Sequence, residues 1–127
     1  MLVLLTDGLI DDYAQTVDCI IQAASLPLSI VIVGLGNGDF SQLEKLDMDR
    51  EELKSENTGK VCERDMIDFI NFNVYLNEEQ SPLKEVSLAR KTFSEIPTQY
   101  VDYMQTKKID PNREKKGPKA AKADFIN

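Results

Sequence analysis

The 127-residue sequence contains no histidine. Without an imidazole, the chain cannot form Ser-His-Asp or Cys-His catalytic groups, and it cannot supply a zinc site that uses histidine ligands. Only two cysteines are present, Cys19 and Cys62, and their spacing fits neither a metal site nor a disulfide framework. Reduced thiols in a cytosolic setting are the simplest interpretation.

Long apolar runs are absent as well. No run approaches the roughly 20 residues that a membrane-spanning helix needs. The start of the chain has no basic segment ahead of an apolar stretch, so it does not resemble a signal peptide. A content of 42% hydrophobic and 29% charged residues is typical of a soluble globular protein. The length fits one domain.

The net charge of −7 is distributed unevenly along the chain. Residues 105–127 hold seven basic and three acidic side chains, a net charge of +4, which leaves −11 for residues 1–104. The acidic part argues against a broad nucleic-acid surface. The basic end could contact anionic lipid or an acidic partner, but such a composition is also typical of a solvated tail. We expect residues 112–127 to form a disordered basic tail.

Residues 2–8, LVLLTDG, are the stretch around which the rest of the chain is organised. Four apolar residues in a row suit a strand that is buried on both faces of a parallel sheet. Thr6-Asp7-Gly8 then falls at the carboxyl end of this strand, where open α/β sheets bind their ligands. Asp and Gly are also common in simple turns, so the segment alone leaves both interpretations open.

The next segments predict a strand–helix–strand unit. Apolar residues recur at helical spacing from Asp12 to about Ser25, and Pro27 disfavours helix at the residue before it. Residues 28–33, LSIVIV, read as a second buried strand. Short connections and a crossover helix make the two strands parallel.

A glycine-rich segment, Gly34-Leu35-Gly36-Asn37-Gly38, follows the second strand. Its spacing matches neither the dinucleotide fingerprint nor a phosphate-binding P-loop. We interpret it as a loop at the same edge of the sheet as Asp7. Phe40, Leu43 and Leu46 then anchor a short helix, and polar residues 47–60 predict a surface loop rather than a calcium loop.

The second half of the chain predicts one more strand and a long, interrupted helix. Residues 66–75 are β-rich in character, and within them Ile70, Phe72 and Val74 alternate with Asn71 and Asn73. This alternation indicates a strand at or near a sheet edge with one buried and one wet face. Ser81-Pro82 is a typical helix start, and Pro97 must kink or split the helix that follows. The predicted apolar stripe of this helix consists of Val86, Ala89, Phe93, Ile96, Tyr100 and Met104.

Several segments in a fixed order resemble the copine family over residues 2–111. The segments are Leu4-Leu5-Thr6-Asp7-Gly8, Leu26-Pro27-Leu28-Ser29-Ile30-Val31-Ile32-Val33-Gly34, Asp39-Phe40, Leu46-Asp47, Arg64-Asp65 and Ser94-Glu95-Ile96-Pro97. Copines carry two C2 domains followed by a von Willebrand factor A-like domain. Residues 1–111 are similar to the carboxyl-terminal half of that A-like domain.

The resemblance implies a divalent-metal site at the sheet edge. In A-like domains the ligands come from an Asp-x-Ser-x-Ser motif, a Thr from a middle loop and the Asp of a Thr-Asp-Gly segment. Asp7, with Thr6 beside it, matches only the last of these, and Asp-x-Ser-x-Ser does not occur here. The implied Mg²⁺ or Ca²⁺ site is therefore incomplete. Gly8, Gly36 and Asn37 are the candidate partner-binding residues of the same edge.

The expected fold is α/β, a partial Rossmann-like, A-type domain with a mostly parallel sheet of about three strands flanked by helices. The resemblance implies calcium-dependent phospholipid binding and partner recruitment for the intact family member, in the cytoplasm or at the plasma membrane. The alternatives are the A-like portion of a RING-type ubiquitin ligase and a truncated product without independent function. Two cysteines and no histidine cannot build a RING, so we expect no enzymatic activity.

The resemblance also implies an exposed strand. In the family, the strand at residues 2–5 pairs with an upstream strand that this sequence does not contain. A bare apolar edge invites pairing with another chain. We therefore expect a protein partner at the sheet edge or at this strand, an anionic membrane for the intact family member, and no nucleic acid.

Overall fold

The computed structural model of the chain describes residues 1–47, 52–77 and 84–111. Helices and strands alternate along the first half, and helices follow one another in the second. In chain order the elements are β1 (Leu2–Thr6), α1 (Tyr13–Ala23), β2 (Ile30–Gly34), α2 (Ser41–Leu46), β3 (Ile67–Asn71), α3 (Phe72–Asn77), α4 (Lys84–Ser94) and α5 (Ile96–Thr106). None of the helices in the described part of the chain could cross a bilayer.

The three strands form one parallel sheet in the order β1-β2-β3. Its register aligns Thr6 with Gly34 and Gly34 with Asn71, so all three strands end at the same level. The α/β fold with a parallel, helix-flanked sheet is therefore confirmed. The strand–helix–strand unit explains the arrangement, since parallel neighbours need a crossover connection.

The main hydrophobic core lies on the face of the sheet that carries Ile30, Ile32, Ile67 and Phe69. Helices α1 and α2 cover this face, because their apolar residues recur on one side of each helix. The helical and loop members of the core are Val17, Ile20, Ala24, Phe40, Leu43, Leu46, Leu53, Cys62 and Met66. Full burial of one large apolar side chain contributes about 1.5–3 kcal/mol, so this cluster dominates stability.

The prediction that the first strand is buried on both faces is wrong. Leu2, Val3, Leu4 and Leu5 are 42%, 47%, 43% and 68% exposed. Strand β1 pairs only with β2 and stands at the edge of the sheet in the described residues. Its apolar sequence matches a central strand, but in the described part of the chain no neighbour covers its second side.

The third strand is shorter and more buried than predicted. Strand β3 ends at Asn71, and the chain turns into helix α3 where the alternating pattern indicated more strand. All side chains from Ile67 to Ile70 are buried. The predicted alternation of buried and wet strand positions over residues 70–74 is wrong, because residues 72–74 belong to helix α3. Helix α2 contacts β3, and so does α4. The edge position of this strand is confirmed by the sheet order.

Pro97 splits the last helical segment, as predicted. Helix α4 ends at Ser94 and α5 begins at Ile96, with Pro97 in the first turn, where its missing N–H costs nothing. The predicted apolar stripe is wrong for several positions. Val86, Phe93 and Tyr100 are more than half exposed, whereas Gln99 and Tyr103 are buried. Ser81-Pro82 and the predicted tail, residues 112–127, lie outside the described residues.

Arg64 joins the connection after α1 to the helix α5. Its guanidinium donates hydrogen bonds to the carbonyl oxygens of Ala24 (2.9 Å), Leu26 (2.7 Å) and Leu28 (2.6 Å). The same group lies 5.2 Å from the ring centroid of Tyr103 on α5, within cation–π range. A single planar donor thus holds three turn carbonyls in place.

The predicted surface loop contains an anchored hairpin. Leu53 and Ser55 are buried, and a β-bridge joins Lys54 to Val61. The hydroxyl of Ser55 donates to Asp18 on α1 over 2.5 Å. The loop is therefore exposed at its tip and fixed to α1 at its base. Residues 48–51, which belong to the segment compared with a calcium loop, lie outside the described residues.

Candidate functional site

The carboxyl ends of the three strands meet at one edge, which we call the rim and define as Thr6, Asp7, Gly8, Gly36 and Asn37. The N–H of Leu35 donates to the carbonyl of Thr6 over 2.8 Å, which joins the ends of β1 and β2. Asp7, Gly36 and Asn37 are exposed, Thr6 is half-buried and Gly8 is buried. The predicted proximity of the Asp7 segment and the glycine-rich loop is therefore confirmed.

Glycine is required where the two loops of the rim cross. A β carbon added to Gly38 would lie 1.9 Å from the carbonyl oxygen of Asp7. Gly8 adopts φ +138°, and a β carbon there would lie 3.0 Å from the carbonyl of Asp39. Only glycine permits both the close approach and the positive φ. The crossing fixes the main chain that carries Asp7.

Asn71, the last residue of β3, and Asn73 in α3 lie next to the rim, and neither was among the site residues predicted from the sequence. Asn73 donates its side-chain N–H to the carbonyl of Gly36 and to Oδ1 of Asn37, the latter over 3.3 Å. Oδ1 of Asn71 accepts the N–H of Asn73 over 3.1 Å. The alternating strand pattern placed both residues on a wet strand face. Their position at and just after the end of the third strand could have indicated that they hydrogen-bond to a neighbouring loop at the same edge of the sheet.

The rim offers oxygen ligands and hydrogen-bonding groups. Oγ1 of Thr6 accepts the N–H of Gly8 over 3.4 Å, which orients the hydroxyl beside the Asp7 backbone. Asp39, next to the crossing, accepts the N–H of Ser41 over 2.9 Å, and this bond lowers the pKa of its carboxyl. Such an arrangement can bind a polar group or a cation.

The oxygen ligands at the rim are by themselves too few to hold a divalent cation. Mg²⁺ and Ca²⁺ take about six or more oxygen ligands, of which Thr6 and Asp7 would give two. Among the described residues, no three His, Cys, Asp or Glu side chains come close enough together to hold a metal ion. The rim therefore fits part of a metal site, with the remaining ligands to come from water or from elsewhere.

A second group of charges lies on β3, on the face opposite the main core. Asp68 is 1% exposed and its Oδ1 lies 3.4 Å from Nζ of Lys91 on α4, which also contacts Glu95 over 3.1 Å. Burial raises the pKa of Asp68 to about 6, against the opposing effect of Lys91. The pair links α4 to the sheet at a position that is structural rather than part of the rim.

Comparison with known proteins identifies the family of this fold and rim. The family model described as Copine matches residues 1–112. The chain belongs to the copine family. It is 39% identical over 111 residues to Protein BONZAI 2 and 36% identical over 111 residues to Protein BONZAI 1, both of Arabidopsis thaliana. It is 34% identical over 116 residues to Nicotinic receptor-associated protein 1 of Caenorhabditis elegans.

The copine match covers most of this chain but a small part of each relative. In all three comparisons the aligned region spans 87% of the chain and 18% of the relative. The matched region contains all five rim residues, β1 to β3 and both final helices. The resemblance seen in the copine-like segments of the sequence is thus confirmed for the family.

Proposed function

We propose that this chain is a non-catalytic, partner-recruiting part of a copine, built as a portion of a von Willebrand factor A-like domain. The observation that carries the proposal is the rim, where loops from three parallel strands present exposed polar groups on a rigid base. Asp7 and Asn37 are held by main-chain crossings and by Asn73 rather than by long side-chain contacts. Pre-organised groups of this kind lose little entropy when a partner binds.

The partner class is a protein rather than a nucleic acid. The acidic character of residues 1–104 disfavours phosphate backbones. One relative is named Nicotinic receptor-associated protein 1, a name that describes association with a protein. Recruitment of a protein at the rim is consistent with that name, and the exposed edge of β1 is a second surface for such contact.

Calcium-dependent phospholipid binding is proposed for the intact family member, in the cytoplasm or at the plasma membrane. This chain contributes the A-like portion to that activity. Within it, Asp7 and Thr6 would supply two oxygen ligands of an Mg²⁺ or Ca²⁺ site that other groups complete. A bound divalent cation at the rim would offer a positive centre to an acidic group of the partner.

The alternative of a RING-type ubiquitin ligase finds no support in the residues. A RING needs closely spaced cysteine and histidine ligands, and the chain has two cysteines and no histidine. The structure records both cysteines as free, with Cys19 exposed and Cys62 buried. A truncated product without independent function would show no partner that depends on the rim, so one experiment addresses both alternatives.

The test is affinity capture with the full chain and two matched carboxylate variants. Asp7→Ala removes the rim carboxylate, whereas Glu56→Ala removes an exposed carboxylate on the hairpin tip. We expect proteins that bind the wild type and Glu56→Ala but are lost with Asp7→Ala. Identical captured sets for all three chains would overturn the assignment of recruitment to the rim.

A further inference from the structure

A cleft lies between α1, α2 and the anchored hairpin, on a different part of the surface from the rim. Its volume is about 550 Å³, within the range of about 300–1,000 Å³ that is usual for ligand pockets. Tyr13 and Val17 of α1 line it, together with Glu44 of α2 and Leu53 of the hairpin. None of the five rim residues, all of which the structure describes, lines this cleft.

The walls of the cleft are fixed to one another. Asp18 of α1 accepts hydrogen bonds from the hydroxyl of Ser55 over 2.5 Å and from the side-chain amide of Asn57 over 2.8 Å. These bonds anchor the hairpin to α1. Val17 and Leu53 are 3% and 6% exposed and belong to the main hydrophobic core. A cleft whose walls are already in place loses little entropy when a ligand binds.

The lining combines buried apolar side chains, an aromatic ring and an excess of carboxylates. Of the described side chains that line the cleft, four are acidic and two are basic. Glu44 and Glu52 are exposed, and neither takes part in the ion pairs that the described residues form with one another. Tyr13 is half-buried, and this burial raises the pKa of its phenol, so the hydroxyl stays neutral at pH 7. The cleft therefore favours a cationic ligand that also has apolar and planar parts.

A compact metal ion does not fit this lining. In the part of the chain that the structure describes, no three His, Cys, Asp or Glu side chains come close enough together to hold one ion. Carboxylates that lie apart suit a cation whose donors point in several directions. A guanidinium has five N–H donors in one plane, and it stacks on aromatic rings. Its aliphatic stem packs on apolar surface while the charged end contacts polar groups.

We propose that the cleft binds an arginine side chain of a partner protein. The guanidinium stacks on the ring of Tyr13 and contacts the carboxylates of Glu44 and Glu52. The aliphatic stem lies against Val17 and Leu53. A cavity of roughly 150 Å³ is enough for a benzene ring, so the cleft has room for the arginine and for parts of the residues on either side of it in the partner.

The charges of the chain favour a partner with an isolated arginine. Residues 1–104 carry a net charge of −11, which attracts a basic partner from a distance. Lys45 and Lys54 are the two basic residues of the lining. They repel a second cation placed beside the arginine, so neutral or acidic neighbours are preferred to a run of basic residues.

The test is an NMR titration of the full chain with the peptide acetyl-Ala-Ala-Arg-Ala-Ala-amide. We expect the ring signals of Tyr13 and the methyl signals of Val17 and Leu53 to shift as the peptide is added. The same peptide with citrulline in place of arginine has nearly the same shape without the charge, so it should shift these signals far less. Added salt should weaken the binding of the arginine peptide.

Substitutions locate the binding. Glu44→Gln and Glu52→Gln should each weaken binding up to about fivefold, whereas the matched change Asp102→Asn, at an exposed carboxylate on α5, should have no effect. Asp7→Ala should also leave the affinity unchanged, so a failure of the cleft is distinguishable from a failure of recruitment at the rim.

The aromatic ring is tested by a second pair of variants. Tyr13→Phe keeps the stacking surface and should bind the arginine peptide as the wild type does. Tyr13→Leu removes that surface and should bind about two- to fivefold more weakly.

Three results would overturn the proposal. The first is equal binding of the arginine and citrulline peptides. The second is an equal effect of Glu44→Gln and Asp102→Asn, which would mean that the peptide is attracted by the overall charge and not by the cleft. The third is tighter binding of spermine than of the arginine peptide at the same signals, which would identify the cleft as a polyamine site.

Discussion

Gly38 lies directly against the carbonyl oxygen of Asp7. A β carbon on Gly38 would be 1.9 Å from that oxygen, and the nearest atoms belong to the main chain, which cannot rotate away as a side chain can. The position of the rim carboxylate is therefore coupled to the size of a residue 31 positions further along the chain. This contact links the sequence of the glycine-rich loop to the geometry of the site.

Replacement of Gly38 by alanine should destabilise the protein by about 2–3 kcal/mol, because the added methyl group overlaps fixed backbone. Gly36→Ala is the matched control in the same loop. Gly36 has φ +80° but open space around it, so only the backbone strain of about 1 kcal/mol applies. Urea unfolding measures the loss of stability in each variant. Equal losses for Gly38→Ala and Gly36→Ala would mean that the glycine-rich loop moves away from Asp7 at little cost.

Stability should rise as the pH falls from 7 to 5, through Asp68. Its pKa is raised to about 6 by burial, from 3.8 in the unfolded chain. A raised pKa means that the folded state binds the proton more tightly, so the contribution is present in full below about pH 4 and is lost as the pH rises through 6. The gain between pH 7 and 5 is about 1 kcal/mol.

The measurement of this pH effect compares urea unfolding of the wild type and Asp68→Asn at both pH values. Asparagine has nearly the same shape but does not titrate, so its stability should show a smaller gain on acidification. Lys91 keeps a partner in the variant, because Glu95 lies 3.1 Å away. The same pH dependence in both proteins would place the titrating group elsewhere.

Arg64→Lys should cost about 2–3 kcal/mol, since a lysine cannot hold three carbonyl oxygens at once and charged hydrogen bonds are worth about 1.5–3 kcal/mol each. Lys107→Ala provides the control. It removes a neighbouring cation whose exposed ion pair with Glu63 spans 3.4 Å, and such pairs contribute about 1 kcal/mol or less. Thermal or urea unfolding of both variants measures how much stability each substitution costs. A larger loss for Lys107→Ala than for Arg64→Lys would contradict the prediction.

This 127-residue chain should bind Mg²⁺ or Ca²⁺ no more tightly than about 1 mM, because Thr6 and Asp7 provide too few of the required oxygen ligands. Asp7→Ala should change the titration little, and isothermal calorimetry is the direct measurement. Micromolar binding that disappears in Asp7→Ala would show that other carboxylates complete the site.

The exposed edge of β1 should make this chain self-associate. Leu2 donates its N–H to Ser29 and Thr6 accepts from Leu35, so alternate residues face β2, and the N–H groups of Val3 and Leu5 face the open edge. Val3→Pro should therefore reduce association in sedimentation experiments while β1 stays paired.

Leu4→Pro is the contrasting change for this edge, because it removes a hydrogen bond to β2 and should unfold the strand instead. Hydrogen exchange at the backbone amides of Val3 and Leu5 shows whether the edge of β1 is open or already paired. Slow exchange at these two residues in a monomer would show that the edge is already satisfied, contrary to the prediction.

The sequence by itself determined the α/β class, the parallel pairing, the division at Pro97 and the gathering of Asp7 with the glycine-rich loop. These features follow from local rules: apolar periodicity, crossover geometry, proline chemistry and the meeting of strand ends at one edge. The order of the copine-like segments also sufficed for the family. Each of these inferences needs only neighbours along the chain or a general topological constraint.

Only the tertiary structure decided which apolar residues are covered. The run from Leu2 to Leu5 has the sequence of a central strand yet stands exposed, because burial depends on what packs beside a strand and not on its own composition. Asp68 is a charged residue yet is buried beside Lys91 of helix α4. Likewise, the helical turn after Asn71 and the tether from Asn73 to Gly36 depend on contacts between residues far apart in the chain, which no local pattern encodes.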